Sequence, residues 1–145
     1  MCGCPGKKIP YDVVRYVNRD ILNLSQLEAT ALQSYASVTG ENYTTDERVY
    51  EALSDTVVPY YKRFTELLRE ISPESMELKR IHSLYINGAE KMHTGFKAKM
   101  VGIEKKDENL IRIGNQQIEA GRDETLKWRT ELGVLLQKSA VAVKK

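Results

Sequence analysis

Four long segments of the chain carry apolar residues on alternating three- and four-residue steps, with polar residues between them. This spacing places the apolar side chains on one face of an α-helix. The inward positions expected from it are Val14, Val17, Ile21, Leu24, Ala31, Tyr35 and Val38 in the first segment, Tyr50, Leu53, Val57, Tyr60, Phe64, Leu67 and Ile71 in the second, Leu78, Ile81, Tyr85, Gly88, Met92, Gly95, Phe96 and Ile103 in the third, and Ile111, Gly114, Ile118, Gly121, Thr125, Trp128, Leu132 and Leu135 in the fourth. The pattern predicts an all-α protein.

Start and stop signals bound the first two segments. The first runs from about Pro10 to Thr39, and Gly40 stands where a left-handed helix end is favoured. The second opens with Thr44-Thr45-Asp46-Glu47, which has the form of a capping box. Pro59, in the middle of this second helix, removes a backbone hydrogen bond, so we expect a kink there.

Similar signals bound the last two segments. We expect Ser72 to cap the third helix, with Pro73 in its first turn. Asp107 is the expected cap of the fourth helix, which ends near Lys138. Because the connections are short, neighbouring helices should run antiparallel. The sequence therefore predicts an antiparallel, up-down-up-down four-helix bundle with long helices.

Glycines recur at intervals of seven residues within the third and fourth helices. Each glycine in a helix interior costs about 0.8–1.0 kcal/mol relative to alanine, so we expect a compensating gain. If the chain reverses near Glu108, three pairs are expected to face each other: Gly102 with Gly114, Gly95 with Gly121, and Gly88 with Trp128. The pattern predicts a glycine-lined contact between helices 3 and 4, with their backbones close together.

The composition is that of a globular chain with one domain. We expect a flexible tether over residues 1–9, the helical bundle over 10–139, and a frayed basic end over 140–145. The 22 Lys and Arg residues nearly balance the 20 Asp and Glu residues, so the charge does not favour a nucleic-acid partner. No apolar run approaches the roughly 18–20 residues of a membrane-spanning helix.

One pair of residues suggests a metal site. Glu90 and His93 stand three apart, as in the ligand pairs of carboxylate-bridged di-metal bundles. His82 is the only other histidine, so half of the ligand set of such bundles is missing, and we expect no cofactor. The alternative is a flat cofactor in space left by the glycines. Motifs of nucleophilic catalysis are absent, so the sequence predicts a protein that is not an enzyme.

Glu28 falls on the inward stripe of the first helix. A buried carboxyl group must be hydrogen-bonded or protonated. Two interpretations are open at this point. Either the stripe rotates, with Leu27 and Leu32 inward and Glu28 at the boundary, or Glu28 locks the helix register through Tyr35, Tyr85 or a lysine.

Both cysteines, Cys2 and Cys4, stand in the opening sequence Met1-Cys2-Gly3-Cys4-Pro5-Gly6. The pair Gly3-Cys4 resembles the end of a bacterial lipobox, and the polar stretch after it resembles the tether of a lipoprotein. Either cysteine is then a candidate for lipidation, and basic residues at both chain ends would support attachment to anionic lipid. An inert terminus and a redox-active or metal-binding cysteine pair are the open alternatives.

Together these features predict a non-enzymatic bundle at the bacterial cell envelope or in the periplasm. It would act through contacts with a protein partner, as an adaptor, an immunity-like protein or an assembly factor, and associate with the membrane through its N-terminal lipid. One alternative is a cofactor- or metal-binding four-helix bundle. The other is an intracellular, cytoplasmic interaction domain that pairs with a second copy of itself as a homodimer.

Overall fold

The computed structural model describes residues 11–144, and within them the side chains of residues 11–139. The described residues form four helices and no strand, which confirms the all-α class. Helix α1 covers 11–36 and includes the π-helical segment Tyr16–Ile21 followed by the α-helical segment Leu22–Ala36. Helix α2 covers 46–70 and consists of Asp46–Ala52, the π-helical segment Leu53–Val57, and Val58–Glu70. Helix α3 is Met76–Lys105, and helix α4 is Glu108–Lys144. The helix α4 thus continues past Lys138, and the expected tether lies outside the described residues.

Two of the expected helix caps are observed, and one expected helix end is wrong. The first helix ends at Ala36 and not at Thr39, and Gly40, with the expected positive φ of 59°, opens the separate 3-10 turn Gly40–Asn42. The side chain of Thr45 caps α2 by accepting a hydrogen bond from the backbone N–H of Arg48 at 3.2 Å. Asp107 caps α4 through one carboxylate oxygen, which accepts the N–H groups of Asn109 and Leu110.

The expected start of α3 at Ser72 is wrong. The helix begins at Met76 with Ser75 as its cap, and the side chain of Ser75 accepts the N–H of Leu78 at 3.2 Å. The physical reason is a long-range contact, since the buried carboxylate of Asp12 accepts the backbone N–H groups of Glu74 and Ser75. Those two amides are held by α1, so the segment before Ser75 stays outside the helix.

The two π-helical segments shift the inward stripe by one residue. In α1, Val13 is buried where the sequence predicted Val14, which is 53% exposed. In α2, Tyr61 is fully buried where the sequence predicted Tyr60. A π-helical turn adds a residue to the helix, so an α-helical repeat cannot fit both sides of it. Pro59 explains the segment in α2, because widening the turn before a proline relieves its clash with the preceding carbonyl groups.

One continuous core joins all four helices. Its centre is aromatic, with the ring of Phe96 in edge contact with Tyr35 and Tyr61 at centroid distances of 4.9 Å and 5.3 Å. Phe64 makes the same kind of contact with Tyr85 at 5.5 Å. These edge-to-face pairs fix the relative positions of α1, α2 and α3.

The register predicted between the third and fourth helices is wrong by one heptad. A Cβ atom placed on Gly95 would lie 2.7 Å from the carbonyl oxygen of Gly114, and one placed on Gly88 would lie 2.9 Å from that of Gly121. Gly95 therefore faces Gly114 instead of Gly121. The cause is a tighter turn, because Lys106 adopts a left-handed conformation with φ 54° and α4 starts directly after Asp107.

Candidate functional site

A groove between α1 and α4 forms a mostly apolar concavity among the described residues. Helix α4 packs closely along α3, but its packing against α1 is sparse. The groove between them has a volume of about 530 Å³. Ligand sites in proteins commonly measure roughly 300–1,000 Å³ and are mostly apolar with a few polar groups.

The floor of the groove is apolar. Leu32 and Tyr35 contribute from α1, Met92 from α3, and Leu126 from α4. Tyr35 is held in place because Lys99 donates a hydrogen bond to its hydroxyl at 2.7 Å. Met92 is buried, and the hydroxyl of Tyr61 donates to its Sδ atom at 3.2 Å. The floor is therefore fixed by side chains that also belong to the core.

Three charged residues line the groove, namely Glu28, Arg122 and Arg129. Arg122 pairs with Glu119 one turn earlier on α4 at 2.9 Å. Arg129 forms no ion pair with any carboxylate of the described residues. Seven residues separate the two arginines, which places their Cα atoms about 10 Å apart on one side of α4.

Glu28 is half-buried at one end of the groove, and Tyr85 donates a hydrogen bond to its Oε1 atom at 2.6 Å. Burial raises the pKa of this carboxyl group, while the hydrogen bond from Tyr85 and the charge of Arg129 act in the opposite direction. Features of both interpretations left open by the sequence are present, because Leu27 and Leu32 are partly buried against the core while Glu28, at the boundary, accepts the hydrogen bond from Tyr85.

A chain of buried hydrogen bonds lies near this groove and links all four helices. Trp128 of α4 donates from Nε1 to the hydroxyl of Tyr16 in α1 at 3.0 Å. The hydroxyl of Tyr16 lies 2.6 Å from Nδ1 of His82 in α3, and Nε2 of His82 lies 2.8 Å from the carbonyl oxygen of Leu68 in α2. A carbonyl can only accept, so we assign the proton to Nε2 of a neutral His82, with Tyr16 donating to Nδ1.

The structure places Trp128 in the core, as the sequence suggested, but not opposite Gly88. Its ring stacks on Tyr85 at a centroid distance of 3.8 Å. A Cβ atom on Gly88 would instead meet Thr125 and Gly121. The indole thus belongs to the hydrogen-bonded chain, and the glycine contact lies beside it.

The three candidate metal ligands are not brought together. His82 has both ring nitrogens engaged in the core, and Glu90 pairs with Arg69 of α2 at 2.8 Å. His93 is half-buried with no hydrogen-bond partner on Nε2, and burial, followed by the charges of Lys97, Lys62 and Arg69, lowers its pKa. Among the described residues, no group of three or more His, Cys, Asp or Glu side chains could hold a metal ion.

The space between α3 and α4 is also unsuited to a flat cofactor. Each of the five glycines there faces an atom of the opposite helix or the turn within about 3 Å of its added Cβ atom, and most of these neighbours are backbone atoms. The glycines therefore admit the neighbouring backbone and leave no space for a ligand. The candidate lipidation residues, Cys2 and Cys4, lie outside the described residues.

Sequence reasoning missed the groove residues on α4. Arg122, Leu126 and Arg129 stand on steps of four and three, which is a recognisable pattern of one helix face. These residues were given no role from the sequence, because nothing in the sequence shows that α1 leaves this side of α4 open.

The chain matches no protein-family model, no curated protein and no solved structure. None of the helices described here contains a stretch long and apolar enough to pass through a bilayer. A function for this bundle therefore has to be inferred from its own residues.

Proposed function

We propose that this protein is a non-enzymatic helical bundle of the bacterial cell envelope that acts by binding another protein. The observation that carries the proposal is an exposed apolar stripe on α1, formed by Tyr11, Val14 and Leu22, whose side chains are 80%, 53% and 62% exposed. Their spacing of three and eight residues places them on one side of α1. Exposed apolar patches on folded proteins commonly mark interaction surfaces.

The proposal includes a rigid scaffold behind that stripe. We infer that the helices alternate in direction, up-down-up-down, and that the glycine-lined contact locks α3 and α4 together as a hairpin. The pairs Gly88 with Gly121 and Gly95 with Gly114 support this, because they step in opposite directions along the two helices. A scaffold of this kind presents α1 without large rearrangement on binding.

The N-terminal sequence supplies the cellular context of the proposal. Acylation of Cys2 or Cys4 would anchor the protein, and α1 follows directly, so its exposed stripe would lie near the membrane surface. Intact mass spectrometry of the protein from its native cells tests this step. An acylated N-terminal cysteine is the expected result, and a free, unprocessed N-terminus in the cytosol would contradict it.

Position-specific photo-cross-linking tests the contact surface. A cross-linking side chain in place of Asn18, which is exposed between Val14 and Leu22, should give one adduct of defined mass in the native cell. The double substitution Val14→Lys and Leu22→Lys should abolish it without lowering the melting temperature, because both side chains are exposed. A cross-linker at the exposed Glu119 of α4 is the control. Identical adducts at both positions would contradict the proposed stripe.

A second copy of this chain is the alternative occupant of the stripe. A homodimer buries the same apolar residues on both partners when its axis is twofold. Sedimentation of the purified protein distinguishes a second copy from a different protein partner, because self-association predicts a dimer that becomes monomeric when Val14→Lys and Leu22→Lys are combined. A strict monomer at high concentration leaves the partner as a different protein.

A further inference from the structure

We propose that the groove between α1 and α4 binds an anionic amphiphile, a long-chain carboxylate, with its chain on the apolar floor and its head group on Arg129. This site is separate from the exposed stripe of α1, so it goes beyond the proposed function. The chemistry follows from three features of the groove, which are its size, its lining and the state of its charges.

The size and lining fit a flexible apolar chain. The groove runs alongside α1 from Glu28 to Ala36, which is about 12 Å at the rise of an α-helix, and continues to Thr39 and Gly40. Its volume of about 530 Å³ is in the range of sites for small molecules. Leu32, Met92 and Leu126 present aliphatic and thioether surface, which packs well against methylene groups.

The charges favour an anionic head group. Two arginines and one carboxyl group line the groove. Arg122 pairs with Glu119, whereas Arg129 forms no ion pair among the described residues, although its charge acts on the carboxyl group of Glu28. Arginine binds a carboxylate through two parallel hydrogen bonds when the head group is presented in its plane. The apolar floor excludes water from one side of that contact, which strengthens it.

Calorimetric titration of the folded protein with palmitate tests the site. We expect saturable binding at one site, and at least tenfold weaker binding for Arg129→Gln, which is the effect of roughly one charge-assisted hydrogen bond. The matched control is Lys127→Gln, an exposed cation of α4 that does not line the groove, which should leave the affinity unchanged. Equal losses in the two variants would overturn the assignment of Arg129.

A steric variant tests the position of the chain independently of charge. Ala36→Trp fills the groove from an exposed position and should abolish palmitate binding, whereas Gln33→Trp, also exposed on α1 but outside the groove, should not. Thermal melts of both variants establish that they are folded. Undiminished binding by a folded Ala36→Trp protein would overturn the proposed path of the chain.

Two further probes identify the ligand class. Hexadecanol carries the same chain without the carboxylate and should bind at least tenfold more weakly than palmitate, for the same reason as Arg129→Gln. Vesicles of phosphatidylglycerol test whether a membrane surface is the ligand instead. Binding to vesicles without binding of free palmitate, or equal affinity for hexadecanol, would overturn the proposal.

Discussion

Gly95 and Gly133 are both helical glycines, but their surroundings are opposite. A Cβ atom on Gly95 would lie 2.7 Å from a backbone oxygen of α4, whereas one on Gly133 would have nothing within 4 Å. We therefore expect Gly95→Ala to lower the free energy of unfolding by about 1–3 kcal/mol through overpacking, although alanine is the better helix former. Gly133→Ala, the matched control, should raise it by up to about 1 kcal/mol.

Chemical denaturation of the two variants beside the parent protein measures both effects. We expect the two changes in the free energy of unfolding to have opposite signs. Of the two glycines, only Gly95 faces a backbone atom of α4, and that atom cannot shift unless the helix moves with it. Two variants that are equally stabilised would mean that α3 and α4 separate easily, and the glycine contact would then lose its proposed role.

The histidines make stability depend on pH. Burial lowers the pKa of His82 below its ordinary value of 6.5, against the raising effect of its hydrogen bond to Leu68, and burial also lowers that of His93. The unfolded chain therefore takes up protons below pH 6.5 that the folded chain does not. The free energy of unfolding should fall as the pH drops below about 6.5 and stay level above it.

Denaturation at a series of pH values measures this slope in the parent protein and in His93→Gln. The slope that remains in His93→Gln is due to His82. Glu28 acts in the opposite direction above its ordinary value of 4.5, because burial raises its pKa, so the comparison is made just below pH 6.5, where the unfolded histidines begin to take up protons. Stability that increases as the pH falls through that window would contradict a neutral, buried His82.

At the scale of elements, the turn between α3 and α4 carries an unusual residue. Lys106 has φ 54°, a left-handed conformation that glycine adopts without a steric cost. Because relief of that cost exceeds the added flexibility of the unfolded chain, Lys106→Gly should stabilise the protein by about 0.5–1 kcal/mol. Lys105→Gly, one residue earlier and still helical, should destabilise it by about 1 kcal/mol. Thermal melts of the two variants measure both changes in stability, and a loss of stability in both would contradict the gain expected for Lys106→Gly.

The same turn shows how far the sequence could predict the elements. The glycine period and Asp107 were sufficient to predict two helices with a reversal between them. They were not sufficient to place the reversal, because no sequence rule predicts that a lysine adopts the left-handed position. In a hairpin each partner moves by twice the shift of the turn. A reversal centred about three and a half residues too late therefore moved every expected partner by a heptad, and Gly95 was paired with Gly121 instead of Gly114.

The π-helical segments limited the prediction of α1 and α2 in another way. An inward stripe is extrapolated with a constant period, and one extra residue in a wide turn breaks that period. Pro59 gave a visible signal in α2, but nothing in the segment Tyr16–Ile21 marks it as π-helical from the sequence. The prediction was therefore right after the wide turn in α1 and wrong before it, where Val13 is buried instead of Val14.

The groove could not be predicted because it depends on how far apart two helices lie that are distant in the sequence. Glu28 was recognised as anomalous, since a carboxyl group on an apolar stripe requires a partner. Its partner, Tyr85, was one of several open choices. Arg129 carried no signal of its own, because an arginine on a polar helix face is ordinary until the opposite helix is seen to leave space beside it.

At the scale of the whole molecule, the hydrogen-bonded chain from Trp128 through Tyr16 and His82 to Leu68 includes one group from each helix. All four residues of this chain are buried. Such a chain should make the four helices unfold together, because separating any helix leaves a buried donor or acceptor without a partner.

Tyr16→Phe tests this coupling, because it removes the central hydroxyl and keeps the ring. We expect it to lower the free energy of unfolding by about 1–3 kcal/mol, since Trp128 and His82 are left with unpaired buried groups. Tyr43→Phe is the control, because its hydroxyl bonds Asp46 at the surface and its loss should cost less than about 0.5 kcal/mol.

Unfolding followed by the fluorescence of Trp128, which reports α4, should coincide with unfolding followed by circular dichroism in the parent protein. If the two transitions separate there, α4 unfolds independently, and the chain of hydrogen bonds does not couple the helices into one cooperative unit.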